Sequence, residues 1–264
     1  MSSPIEIVDP TDPRLDDFRD LSRVDRRPDR PGGKGLVIAE GALVVRRLIA
    51  SPYPIRGVLG VRRRYDELAA DLSETSAPYY VLTPELMAQV VGFHLNRGVL
   101  AAADRVVFPP AAQLLAGVRS VAVLEGVGDH ENLGAVFRNA AALGVGAVLL
   151  ADGCADPLYR RSVRVSMGNV LTVPFAPLPW LQDGIELLRS NGFRIVAMTP
   201  AGEVPLREAV LTGRIAVLVG SEGSGLTPAA LAAADVRVRI PMAPGVDSLN
   251  VATAAAIAFS SITD

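Results

Sequence analysis

Chemical potential in this chain gathers in three short stretches. The first reads Glu125-Gly126-Val127-Gly128-Asp129-His130-Glu131-Asn132-Leu133-Gly134 and runs into a segment carrying Arg138 and Asn139. Asn132 reads as the N-cap of a helix over about residues 133–143, because an Asn side chain accepts the unpaired N–H groups of a first turn. Arg138 follows six residues later, about 1.7 turns on and so on a different face. Both still lie in the first two turns, where a helix start favours an anion. A plain cap beside a solvated arginine is the competing reading.

The second stretch, Gly220-Ser221-Glu222-Gly223-Ser224-Gly225-Leu226, holds three glycines in six residues, which lets backbone approach a ligand closely. Glu222 would repel phosphate and suits a cationic or polar ligand, a flexible turn being the alternative. The third runs Ile240-Pro241-Met242-Ala243-Pro244-Gly245-Val246-Asp247-Ser248-Leu249-Asn250-Val251. Asp247 or Ser248 can cap a terminal helix over about residues 249–262, with Asn250 in its first turn. That helix is apolar nearly all round, so it is buried in the core or against another subunit.

Several chemistries are excluded. No Lys-Ser/Thr follows the glycine turn, so it is not a Walker loop, and Glu131 stands where a third glycine would complete G-x-G-x-x-G after Gly126 and Gly128. One cysteine, Cys154, and two histidines, His94 and His130, do not make a zinc site, and no metal is expected. The three stretches offer a carboxylate, a guanidinium and two asparagines, with His130 the one group that titrates near neutral pH. That inventory suits binding and positioning.

Such loops need strands to carry them. Apolar runs at 121–124, 147–150, 170–173, 194–198, 215–219 and 236–240 alternate with helical patterns at about 133–143 and 180–189, which predicts a parallel sheet covered on both faces. Ligands in such sheets bind beyond the carboxyl ends of strands, and the three stretches follow Leu124, Val219 and Ile240. A smaller α/β pattern precedes this, with strands at 36–39, 55–61, 79–82, 99–102 and 105–108. Thr83-Pro84-Glu85 opens a helix there as N-cap, first-turn proline and acid. The expected organisation is an N-terminal arm over 1–35, with a short helix near 13–21 and a Gly32-Gly33-Lys34-Gly35 turn. A small α/β domain over 36–108, a linker over 109–119 and a catalytic domain over 120–264 follow.

The charges nearly balance, 26 basic against 28 acidic residues, so nucleic-acid contact must come from local patches. Lys34 is the one lysine, and the remaining 25 basic residues are arginine. The patches expected to contact RNA are Arg46-Arg47, Arg62-Arg63-Arg64, and Arg160-Arg161 with Arg164. The N-terminus lacks the apolar core of a signal peptide, and the most apolar run, residues 251–259, is well short of the ~20 a membrane span needs. A cytoplasmic protein without a membrane partner is expected.

The order N-L-G-x-x-x-R-N-A-x-x-x-G from Asn132 to Gly144, L-V-G-S-E-G-S-G-L from Leu218 to Leu226, and I-P-M…S-L-N-V-A from Ile240 to Ala252 resembles the three motifs of the SpoU/TrmH family of RNA 2′-O-ribose methyltransferases, within the SPOUT superfamily. Residues 36–108 resemble, more loosely, the small substrate-binding domain that precedes the catalytic domain in many members, and His94-Leu95-Asn96-Arg97-Gly98-Val99-Leu100-Ala101 resembles the segment closing it. His130 departs from the family pattern, standing where members often have proline. The resemblance implies a SPOUT fold with a C-terminal trefoil knot and a homodimer with its site near the subunit interface. It implies S-adenosylmethionine bound by Thr199-Pro200-Ala201, Gly220-Ser221-Glu222-Gly223, Ile240-Pro241-Met242 and Ser248-Leu249-Asn250, and catalytic roles for Asn132, Arg138, Glu222 and Asn250. Ribosomal RNA is the favoured substrate and transfer RNA the alternative. A dinucleotide-dependent oxidoreductase and a non-catalytic RNA-binding protein are the competing classes.

Overall fold

In chain order the elements are β1 (Ile5–Glu6), β2 (Leu36–Glu40), α1 (Ala42–Ile49), β3 (Ile55–Gly60), α2 (Arg62–Glu67), α3 (Ala69–Leu72), β4 (Tyr79–Val81), α4 (Pro84–Val91), β5 (Val99–Asp104), α5 (Ala111–Leu115), β6 (Ser120–Leu124), α6 (His130–Ala142), β7 (Ala147–Leu150), α7 (Arg160–Val165), β8 (Phe175–Pro177), α8 (Leu181–Ser190), β9 (Phe193–Met198), β10 (Val204–Pro205), β11 (Arg214–Val219), α9 (Pro228–Ala233), β12 (Val236–Arg239) and α10 (Val251–Phe259). The computed structural model describes residues 3–21, 35–178 and 180–262. Two units divide the chain, one of Met1–Val107 with Leu158–Thr172, the other of Phe108–Pro157 with Val173–Asp264. Among the described residues no helix is long and apolar enough to cross a membrane.

The first unit is built on a five-stranded sheet ordered β1-β4-β3-β5-β2. β5 runs antiparallel to both β2 and β3, while β4 is parallel to β3 and β1. Thr83 caps α4 through a bond from the Leu86 N–H, with Pro84 opening the helix as its residues predict. The part of the 1–35 segment that is described does not form a loose arm. β1 pairs with the sheet edge, a 3-10 turn spans Pro13–Phe18, and Leu15, Phe18 and Leu21 pack into the same core as Ile38, Leu59 and Leu100. Ile7, Leu15, Phe18 and Leu21 are buried in an otherwise charged stretch while Val8 is exposed, a selection that periodicity does not reveal. Gly32 to Lys34 of the expected turn lie outside the described residues. The expected strand at 105–108 is absent, because β5 ends at Asp104.

The second unit carries seven parallel strands ordered β10-β12-β9-β11-β6-β7-β8. β6 and β11 are apolar and buried nearly end to end, as a sheet covered on both faces requires. Around it pack Leu115, Ile185, Leu188 and Ala230 from the helices. The 109–119 stretch is not a free linker: it forms α5, buries Leu115, and the Arg214 guanidinium donates to the Val118 carbonyl over 3.2 Å. The strand expected at 170–173 is also displaced. Residues Asn169–Leu171 turn as a 3-10 helix after Gly168, whose φ of 85° breaks extension, and β8 forms only at Phe175.

Because every strand of this sheet points the same way, the turns after β6, β9, β11 and β12 gather at one end. β12, β9, β11 and β6 are consecutive neighbours, so residues more than a hundred positions apart in sequence meet there.

Candidate active site

The first turn enters α6, whose Leu133, Val136, Phe137 and Ala140 are buried at helical spacing. The N-cap is Asp129, not Asn132. Its carboxylate accepts the N–H groups of Glu131 and Asn132, both over 2.9 Å. An aspartate three residues upstream outcompetes the asparagine because a full negative charge suits the helix start better, a cap typically stabilising by about 1 kcal/mol. Asn132 is thereby released to work as a side chain within the first turn.

The Asn132 amide donates to the Glu222 carboxylate over 2.9 Å, and the Asn132 carbonyl accepts from the Asn250 amide over 2.7 Å. Asn250 is itself the cap of α10, accepting from the N–H groups of Ala252 and Thr253. That corrects the expected caps Asp247 and Ser248 and shortens the terminal helix to Val251–Phe259. Asn139 adds a strut that spacing did not single out, donating to the Ala252 carbonyl over 2.8 Å. Three of the four residues expected to be catalytic therefore form one hydrogen-bonded chain from the glycine turn through α6 to α10. Arg138 is outside that chain. It is exposed, and its guanidinium has no hydrogen bond or ion pair among the described residues.

The glycine turn is a closed hairpin, with Ser221 and Gly225 exchanging backbone bonds of 3.2 and 3.1 Å and the Ser221 and Ser224 hydroxyls 2.6 Å apart. A Cβ on Gly220 would stand 2.2 Å from the Gly225 carbonyl carbon, so no side chain fits there. Glu125, at the end of β6, grips the far side of the turn. Its two carboxylate oxygens accept the Thr227 N–H and hydroxyl, each over 2.9 Å. Beneath the first loop, the Cys154 thiol donates to the Leu124 carbonyl over 3.2 Å, and burial pushes its pKa up.

Between these turns lies a cavity of about 290 Å³, at the small end of the range for small-molecule sites. All the residues expected to bind a cofactor line it except Ala201, Pro241 and Asn250. Val219 and Leu226 from the second motif, with Met198, Leu231 and Ala254 that the motifs did not mark, supply an apolar flank. The walls fit a group with an apolar ring system, a polar tail and a positive centre: apolar side chains, bare peptide groups, and the Glu222 carboxylate.

Of the arginines expected to contact RNA, most are engaged within the first unit. Arg46 pairs with Asp71 and Glu67, Arg62 with Glu6, Arg64 with Glu67 and Arg160 with Glu40, while Arg47 donates to the Met167 carbonyl. Arg161 also has a partner. Arg63 and Arg164 have none among the described residues.

Known proteins resemble this chain over much of its length. The SpoU rRNA Methylase family matches residues 119–260. A protein of Mycobacterium tuberculosis described as an uncharacterized tRNA/rRNA methyltransferase is 60% identical over 258 residues, 96% of this chain and 90% of that protein. The Bacillus subtilis 23S rRNA (guanosine(2553)-2′-O)-methyltransferase RlmP is 28% identical over 83% of this chain and 85% of its own. Among solved structures, the AdoMet-bound rRNA methyltransferase of Sinorhizobium meliloti superposes with a TM-score of 0.82 at 25% identity, covering 97% of this chain and 96% of that one. With a family match over more than half its length and a relative this similar end to end, the chain belongs to the SpoU rRNA methylase family.

Proposed function

We propose that this protein methylates a ribose 2′-hydroxyl of RNA with S-adenosylmethionine bound in the cavity beneath the glycine turn. The observation that carries the reading is the Glu222–Asn132–Asn250 chain, which ties Glu222, a residue of the cavity wall, to α6 and α10. S-adenosylmethionine supplies, when bound, a methyl group on a positively charged sulfur that a hydroxyl oxygen can take directly. Thr199, Pro200, Gly220–Gly223, Ile240, Met242, Ser248 and Leu249 would hold it, with Ala201 and Pro241 shaping the adjoining turns, and the Glu222 carboxylate favours its positive centre.

The chain's own work is alignment, which can contribute ~7–11 kcal/mol of a barrier. Asn132, itself held by Asn250, fixes the Glu222 carboxylate at the cavity wall. Arg138 binds the phosphate next to the target ribose and stabilises negative charge as it develops on the oxygen. A guanidinium is a standing cation and not a base, so the hydroxyl proton passes to a phosphate oxygen or water.

The same reading includes a homodimer and a trefoil-knotted C-terminal chain. In support, α10 leaves Ile257 36% exposed beside Thr253, and Arg138 stands open on α6. Ribosomal RNA is the favoured substrate because RlmP and the RlmB relatives are named for 23S rRNA, and the cytoplasm is the compartment where such a substrate is met. The deciding experiment maps 2′-O-methyl positions in total RNA with and without the gene, alongside calorimetry of S-adenosylmethionine with the purified protein. One ribosomal position losing its methyl group, together with binding, supports the reading. An unchanged map, or a protein that binds no S-adenosylmethionine, rejects it.

A further inference from the structure

The outermost strand on one side of the seven-stranded sheet is β10, and its two residues, Val204 and Pro205, pair with Val238 and Arg239 of β12. The 199–203 turn leads into it from β9 and gives Thr199 and Pro200 to the cavity wall, while Ile240 and Met242, just past β12, give another part of that wall. Backbone contacts seat the turn on β12. The Thr199 N–H donates to the Val238 carbonyl over 3.0 Å, and the Gly202 N–H closes the turn on the Thr199 carbonyl over 3.0 Å. Pro200 takes the second turn position, which its fixed φ suits, and the Thr199 hydroxyl accepts from the Ala201 N–H over 3.3 Å. Gly202 is buried, and a Cβ there would stand 2.5 Å from the Val238 carbonyl carbon, so bare main chain lies directly on the strand.

One side chain completes the seat. Arg239, the last residue of β12, is half-buried, and its Nη1 donates to the Gly202 carbonyl over 2.7 Å and to the Glu203 carbonyl over 2.6 Å. Successive carbonyls point to opposite sides of an extended chain, so two that meet one nitrogen mark a bent main chain whose dipoles crowd together. A cation between them offsets that repulsion, and its charge strengthens both bonds. The guanidinium is not part of the cavity lining. The residue after it is Ile240, and the turn it holds begins at Thr199, so one group ties together separate stretches of cavity wall. Arg237, two residues earlier, reaches the same turn but pairs with the exposed Glu203 carboxylate, and an exposed pair contributes little.

We propose that Arg239 is a positioning residue for S-adenosylmethionine, fixing the 199–203 turn against the end of β12 so that Thr199 and Pro200 keep the spacing from Ile240 and Met242 that the ligand needs. The inference rests on the proposed cofactor and deepens it. Without the guanidinium, the Gly202 and Glu203 carbonyls turn toward water, and the two-residue pairing of β10 is left to hold the turn. Thr199 and Pro200 then sample positions outside the bound one, and ordering them again on binding weakens affinity. Because Arg239 stands outside the cavity lining, the effect falls on binding and not on the transfer step.

The test uses the full-length protein, with calorimetry of S-adenosylmethionine and with KM and kcat for methyl transfer to ribosomal RNA from a strain lacking the gene. R239M keeps the length and apolar stem of the side chain and removes its donors. It should bind S-adenosylmethionine roughly tenfold more weakly and raise its KM by a similar factor, with kcat at saturation changed by less than about twofold. R239K supplies an ammonium that can donate to both carbonyls, so it should return affinity to within roughly threefold of the parent. It also carries the test if R239M folds poorly, since an R239K protein far weaker than that overturns the proposal. R237M, which removes the exposed pair with Glu203, should bind as the parent. Parent-like affinity in R239M overturns the proposal, even with a lowered melting temperature, because Arg239 is then a structural brace. So does an equal loss in R237M, or a fall in kcat with KM unchanged. The parent protein separates the two proposals. If it binds no S-adenosylmethionine, the proposed function falls; if it binds while R239M matches it, only the role of Arg239 falls.

Discussion

The Asn132 amide donates to the Glu222 carboxylate over 2.9 Å while its carbonyl accepts from Asn250 over 2.7 Å. Both ends of one small side chain are therefore used, and the glycine turn is tied to the terminal helix through it. Asn132→Asp keeps the size but replaces the donor with a second carboxylate beside Glu222. Like charges at this separation push a carboxyl pKa up. Calorimetry should show S-adenosylmethionine bound much more weakly by N132D at pH 7, with recovery toward pH 5 as the pair takes up a shared proton. N132A should be weakened without that recovery. An N132D protein whose affinity shows no more pH dependence than N132A would show that the contact is not part of the site.

Arg138 projects from the same helix with no partner among the described residues, so removing it leaves no buried group stranded. Arg138→Ala should leave the melting temperature and S-adenosylmethionine affinity close to those of the parent. Methyl incorporation into RNA should fall by roughly 10²–10³-fold, the loss typical of one charge-stabilising donor. Undiminished turnover would remove Arg138 from the mechanism.

The strands of the second unit are legible in the chain because β6, β7, β9 and β11 are apolar runs bounded by turns, while their order in the sheet is not. The glycine turn is legible for the same reason. Contacts between distant residues are not. Nothing local says that Glu125 meets Thr227, or that Arg97 lies against Gly41, since those pairings exist only once two strands are neighbours. The cap of α6 lies three residues before Asn132 because Asp129 and Asn132 are both good caps, and only tertiary contacts show that Asn132 is needed elsewhere. Residues 158–172 read as part of the catalytic half, yet they pack with the small unit, an assignment that depends on which sheet buries Val163 and Val170 and not on their own pattern.

Cys154 tests the packing under the first loop. Burial raises its thiol pKa, so the folded protein holds the proton more tightly than the unfolded chain does. Stability from this group is fully present below the ordinary thiol range and is lost as pH rises through and beyond it. Iodoacetamide at about pH 8, below the ordinary thiol pKa of ~8.5, should alkylate Cys154 slowly in the native protein and readily in denaturant. Between about pH 8 and 10 the melting temperature of the parent should fall more steeply than that of Cys154→Ala. Equal slopes would mean that the loop does not cover the thiol.

Glu125 touches the glycine turn from outside the cavity. Its carboxylate accepts the Thr227 N–H and hydroxyl, and the Thr227 hydroxyl in turn caps α9 by accepting from the Ala230 N–H over 3.2 Å. Glu125 thereby holds the turn in place without meeting the ligand, which makes it a positioning residue. Losing it should loosen the turn and raise the KM for S-adenosylmethionine by roughly tenfold, equivalent to about 1.4 kcal/mol of binding, with kcat at saturation changed much less. Glu125→Gln keeps an oxygen for the Thr227 N–H and can donate to the hydroxyl, so it should recover most of the affinity. Thr227→Val removes the hydroxyl alone and should fall between the two. A variant series that moved the melting temperature while leaving KM and kcat in their original ratio would reduce Glu125 to a structural brace. A KM that rises as the Glu125–Thr227 contact weakens, lower for Glu125→Gln than for Glu125→Ala, would show that the rigidity of the turn sets how well the cavity holds its ligand.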